Sequence, residues 1–467
     1  FDLIDAQGDK YDEGGLRIAL RKKEDIAMLP RLKVYLSDLI LKSMRLYRSE
    51  KNAASEVFDL IQDELFYTDK GLLELRAKTI KKAKDLAYKY DLMYLLMAVL
   101  QRERTFSILY TDGDPMEAID NIHTEEQTVL ERLNNEAELG RIFFSILAKF
   151  MNSQVDHQES LRREAEAYRK NPLMQDYNAL KTFQEKVFFL HAHTYICRIL
   201  EDIKGALEYS RETISLYEAF PQHTYNVTGT YMDALSNYLA LSHRAGIYDA
   251  FVPVLEKLEK LQADNQKDKV SISGKVIQYK ILYVLNTRHF EMVDAITDAF
   301  EEYIATYGKI IPVATYLTAN YNIAILYFMR GDMDKAMFYC RRVTESNSDK
   351  RIELQHGSAL LEYILHFELG NLLFLDSQLR NGQRNMQNAG TYTGFEKLFF
   401  TYLRKLLKTG ATDQADIFAE MHAELLHFKQ VQKDKKDVLM LETLAWTLHR
   451  SNGSDLVDNM FLDYDAG

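Results

Sequence analysis

Apolar side chains recur three and four positions apart in the stretch Tyr321 to Thr344, YNIAILYFMRGDMDKAMFYCRRVT, and this pattern predicts two short amphipathic helices joined by a tight turn. Ile323, Leu326, Tyr327 and Met329 make the apolar stripe of the first helix. Gly331 can close it in the left-handed conformation, and Asp332 is a good N-cap for the second. Ala336 sits early in that second helix, where a small side chain allows close approach, and Met337, Cys340 and Val343 extend the apolar face. One such pair cannot bury its own apolar surface, so it must stack on others.

The same reading applied along the chain predicts helices over Leu32 to Tyr47, around Phe58 to Ile61, over Leu72 to Tyr90 and over Asp91 to Ile108. Two more are expected over Glu117 to Leu133 and Leu139 to Met151, then a shorter one ending near Asn171-Pro172. All six prolines are expected at or near helix ends. Asp112-Gly113-Asp114-Pro115 reads as a turn. From about Asp176 a register emerges: Ala206, Phe251, Val293, Ala336 and Leu375 occupy equivalent places, spaced 45, 42, 43 and 39 apart. Gly246, Gly331 and Gly370 hold the turn position, and Glu201 and Arg288 stand in for glycine in the other two repeats. Helices over Phe395 to Leu407, Asp413 to His427 and Asp437 to Leu448 follow, the last carrying Trp446 and suited to cap a solenoid. The acidic tail 451–467 is either disordered or docked through Leu456, Met460 and Phe461.

Asn322, Ile323, Ala324, Tyr327, Gly331, Asp332, Lys335, Ala336 and Tyr339 match tetratricopeptide-repeat preferences, and the chain resembles that superfamily in its long-repeat branch of about 42 residues. Asn320 departs from the family's bulky aromatic, and no proline closes the repeat. The resemblance implies an all-α fold, a right-handed α-solenoid of antiparallel helix hairpins. Three regions are expected: irregular helices over 1–175, a solenoid with its cap over 176–450, and the tail 451–467. In this family the first helix of each hairpin lines a concave groove. Carried over, the groove residues are His191, Tyr195, Arg198, Asp233, Ser236, His243, Arg244, Lys275, Gln278, Tyr321 and Phe328. Ordinary packing between helices is the competing role at each position.

Charge and chemistry narrow the function. The net charge of -11 argues against nucleic acid, because phosphate binding is driven by lysine and arginine. Lys78, Lys81, Lys82 and Lys84 read as a solvated helix face. The two cysteines, Cys197 and Cys340, fall in apolar patterns and suggest buried thiols in a reducing compartment, so a cytoplasmic location is expected. The chain begins at Phe1, which leaves an upstream segment open, and no run of 18 apolar residues predicts a membrane span. No phosphate loop, nucleophile elbow or paired-cysteine motif appears. His191 and His193 point about 200° apart on a helix and cannot share a metal. Glu353-x-x-His356 and Glu424-x-x-His427 match a di-iron spacing at the level of chance. The sequons at Asn226 and Asn452 matter only in a secreted protein. No cofactor is expected.

The expected function is therefore a non-enzymatic scaffold holding a peptide or protein in the groove. The alternatives are a peptide-responsive regulator of the Rap type with an N-terminal effector bundle, and a metal-dependent helical enzyme.

Overall fold

The computed structural model describes residues 4, 7, 11–20, 23–49, 53–110, 114–152, 158–223, 228–263, 265–346, 348–388, 392, 394–431 and 438–462. Every regular element among them is a helix, with short 3-10 turns and no strand. The chain divides into two compact units, Phe1–Ala234 and Leu235–Gly467. The division falls within a helix, and the expected boundary at 175/176 lies inside the first unit. The turn expected at Asp112-Gly113 and the sequon asparagine Asn226 lie outside the described residues.

The first unit contains α1 (Glu13–Ala19), α2 (Lys23–Ser49), α3 (Ala53–Asp69), α4 (Leu73–Lys89), α5 (Met93–Tyr110), α6 (Pro115–Asn152), α7 (Gln158–Arg169), α8 (Phe183–Ile199), α9 (Ile203–Ala219) and the start of α10 (Thr228–Ala245). Packing runs neighbour to neighbour: α3 on α4, α4 on α5, α5 on α6, α6 on α8 and α8 on α9. Two expectations fail here. The helices foreseen over Glu117 to Leu133 and Leu139 to Met151 are one continuous α6, because the polar stretch between them contains neither glycine nor proline. Pro30 lies inside α2 rather than at its edge.

The second unit contains the rest of α10, then α11 (Phe251–Glu259), α12 (Gln266–Thr287), α13 (Val293–Tyr307), α14 (Val313–Arg330), α15 (Met333–Thr344), α16 (Ile352–Glu368), α17 (Leu372–Asn388), α18 (Gly394–Leu407), α19 (Gln414–Val431), α20 (Met440–Asn452) and α21 (Leu456–Met460). Each helix from α11 onward packs on the next. No helix among the described residues is long and apolar enough to cross a membrane.

One turn recurs through both units. Gly71, Asp91, Glu201, Gly246, Gly331 and Gly370 all take positive φ. In each case the following N–H bonds the carbonyl five residues back, as Asp332 N does to Tyr327 O at 2.9 Å and Leu92 N to Ala87 O at 2.8 Å. This is the Schellman closure, which satisfies the last carbonyls of a helix. Arg288 also takes positive φ but closes with the simpler bond from its own N–H to Val284 O. Five residues beyond the turns at 201, 246, 288, 331 and 370 lie Ala206, Phe251, Val293, Ala336 and Leu375, all fully buried. The spacing read from the sequence thus marks a common structural position. The turns at Gly71 and Asp91 extend it into the N-terminal third, where Leu96 is the fully buried counterpart. At the Gly71 turn the counterpart is Arg76, buried with Glu64 at 2.6 Å. Burial pushes the Glu64 carboxyl up, but bonds from Arg76, Arg102 and Thr68 outweigh it and hold it below its ordinary value.

The C-terminal segment folds back onto its own unit. Trp446 of α20 is buried, with Phe418 and Phe367 edge-on at 5.0 and 5.8 Å. Past it, α21 packs on α14. There Arg288 reaches Asp458 at 2.5 Å and lies over the Phe461 ring. Gly357 on α16 allows Val438 to approach, since a Cβ there would lie 2.5 Å from Val438 Cγ1. Leu456, Met460 and Phe461 are thus docking points of the tail as far as residue 462.

Candidate functional site

The groove candidates separate into three groups. In the first unit, His191, Tyr195 and Arg198 share one side of α8, at spacings of four and three. They meet an aromatic strip on α6. Phe143 lies with its ring centre 5.9 Å from Phe188, 5.4 Å from His191 and 6.2 Å from Tyr195. Phe150 meets Tyr195 edge-on at 5.3 Å. The Arg198 guanidinium sits 4.3 Å from the Phe150 centroid and 5.0 Å from that of Tyr195. Phe144 meets Phe188 edge-on at 5.8 Å and remains 58% exposed. The close approach of α6 to α8 depends on Gly140, where a Cβ would come within 3.1 Å of Phe188.

Electrostatics follow from this packing. Burial pushes the His191 imidazole down to about 4, so it is neutral near pH 7. Burial raises the Tyr195 phenol, with Arg198 opposing and Asp233 reinforcing the shift. Asp233 itself is exposed on α10. The strip is therefore half-buried, aromatic and cationic at one end.

In the second unit His243, Arg244, Lys275 and Gln278 are partly or fully exposed. His243 Nδ1 lies 3.0 Å from the Tyr248 hydroxyl and 3.3 Å from Asn286 Nδ2, which ties it into the α10–α12 packing. The third group is interior. Ser236, Tyr321 and Phe328 are buried, and Tyr279 donates its hydroxyl to Ser236 O at 2.7 Å. Tyr321 is enclosed beside Gly357 and feels the Glu442 carboxylate. In this structure these three side chains pack between helices. Val438, just ahead of α20, approaches the same Gly357.

Among the described residues no three His, Cys, Asp or Glu side chains converge to hold a metal. Glu353 is engaged by Arg351. Cys197 and Cys340 are buried and unpaired with each other, and burial raises both thiols, Cys197 to about 11. Of the flagged lysines, Lys82 pairs with Glu56 at 2.8 Å, and Lys84 with Glu103 at 2.7 Å and Glu125 at 2.8 Å.

The α8 residues of the strip were among the sequence candidates, and Phe143, Phe144 and Phe150 of α6 were not. No family model, curated protein or solved structure compared with the chain matches it.

Proposed function

We propose that the protein is a non-enzymatic scaffold of tetratricopeptide-like hairpins, antiparallel and coiled into a right-handed solenoid, that holds a peptide or protein segment on the α6–α8 strip. The observation that supports the reading is Arg198 laid over Phe150 and Tyr195 at one end of a strip whose other end carries the exposed Phe144. A planar cation fixed on aromatic rings loses little entropy when it meets a carboxylate, and rigid aromatic anchors dominate binding energy at interfaces. The favoured partner therefore presents an acidic residue next to an aromatic or aliphatic one.

The test is a displayed random-peptide selection on the purified chain, followed by titration of the enriched peptides. Enriched sequences should pair an acidic with an apolar residue. Tyr195→Ala with Arg198→Ala should weaken their binding at unchanged helicity, and Phe144→Ala should do so by itself. Peptides that bind the double variant as tightly as the parent would remove the strip from the function.

A further inference from the structure

Among the described residues, nothing covers one seam of helix α2. Its inner edge is held against α1: Leu29 is buried, and Lys33 reaches Glu13 at 2.5 Å. Yet Met28, Leu32, Tyr35 and Leu39 are exposed, Tyr35 by 63%. Val34, Ile40, Leu41 and Met44 are exposed as well. Leu32, Tyr35 and Leu39 border an open apolar cleft of about 240 Å³ floored by Leu16, Leu20 and Leu29. A water-soluble surface seldom leaves this much apolar area on one helix.

The spacing identifies what fits. Met28, Leu32, Tyr35 and Leu39 step by four, three and four, the alternation of a helix that packs along another helix. Arg31 and Asp38 lie seven apart on one flank of this seam, both exposed. Let a second α2 run antiparallel, with Leu32 of each copy against Tyr35 of the other and Met28 against Leu39. The flanking positions then bring Arg31 of each copy to Asp38 of the other, twice over by symmetry. Parallel pairing instead places Arg31 beside Leu36 and Asp38 beside Ser43, with no charge matched. A bilayer surface is a poorer match, because Val34 and Leu41 lie on the far side of the Arg31–Asp38 flank from the seam and leave no single apolar face.

We propose that α2 is a self-association surface, on which a second copy of this chain docks antiparallel through Met28, Leu32, Tyr35 and Leu39, with reciprocal Arg31–Asp38 pairs setting the direction. Sedimentation velocity and light scattering on the full chain test it. The parent should dimerise. Arg31→Asp and Asp38→Arg should each weaken dimerisation by more than about tenfold. An equimolar mixture of the two variants should recover it as a heterodimer, because each then supplies what the other lacks. Leu32→Arg should leave a monomer of unchanged helicity. A monomeric parent at every soluble concentration, or a mixture no stronger than either variant alone, overturns the proposal. So does Leu32-dependent binding of a monomer to phosphatidylglycerol vesicles, which assigns the seam to a membrane surface.

Discussion

Trp446 donates its indole Nε1–H to Glu368 Oε1 at 2.7 Å, joining α20 to the end of α16 across 78 residues of sequence. The indole is also enclosed by Phe367 and Phe418, so α20 is part of the core of the second unit. Trp446→Ala should destabilise the second unit by about 3–5 kcal/mol through the cavity alone. Chemical denaturation followed by circular dichroism checks this. As the only tryptophan, Trp446 should report its own loss of packing at the same denaturant midpoint in the parent. An earlier fluorescence transition would show that α20 detaches first.

The recurring turn makes a second prediction. Glu201 holds φ +62°, a conformation that penalises any residue with a Cβ. Its carboxylate is exposed and pairs with Arg162 near the surface, where such pairs contribute little. Glu201→Gly should therefore raise stability by about 0.5–1 kcal/mol, net of the greater unfolded-state entropy of glycine. Arg288→Gly, at φ +64°, should not gain, because Arg288 also holds Asp458 and Phe461. Thermal melts of the two variants side by side separate backbone relief from lost contacts.

At Ala336 the register itself can be tested. The side chain is fully buried four positions into α15, whose neighbour α14 is buried along nearly its whole length. Ala336→Arg should cost about 1–3 kcal/mol or more from overpacking. A melting temperature equal to that of the parent would mean that the helix shifts to admit the larger group.

What the sequence disclosed and what it hid follow from the range of the interactions. The turn at Gly331, the N-cap at Asp332 and the buried position at Ala336 are local, and their spacing repeats in residues alone. Glu201 and Arg288 kept that spacing although they break the glycine rule, because the helix end, not the residue, demands the left-handed step. At Tyr321 helical periodicity says which side of α14 is apolar but not what covers it. The cover is residues 438–461, more than a hundred positions away. The α6 strip was missed for a related reason: Phe143, Phe144 and Phe150 acquire meaning only when α8 lies alongside.

Burial raises the Glu442 carboxyl on α20, and only its own backbone N–H opposes the shift. A carboxyl raised in the folded state is harmless below the ordinary value of 4.5 and penalises folding as the pH climbs past it. Glu442→Gln should thus raise the melting temperature near neutral pH, and the gain should vanish at a pH well below 4.5. A gain that is independent of pH would trace to packing instead.

The histidines of the first unit work in the opposite sense. Burial lowers His191, His193 and His223, the last against the pull of Asp91. Each stays neutral in the folded chain while the unfolded chain takes up a proton below about 6.5, so stability is complete above that value and drains away as the pH falls. For His191, pushed down to about 4, the loss between about pH 7 and about pH 4.5 should reach about 2–3 kcal/mol. His191→Phe keeps an aromatic ring beside Phe143 and removes the titration. Denaturant midpoints of the parent should therefore fall more steeply with acid than those of this variant. Parallel lines for the two proteins would place the proton uptake elsewhere, with His193 and His223 the next to replace.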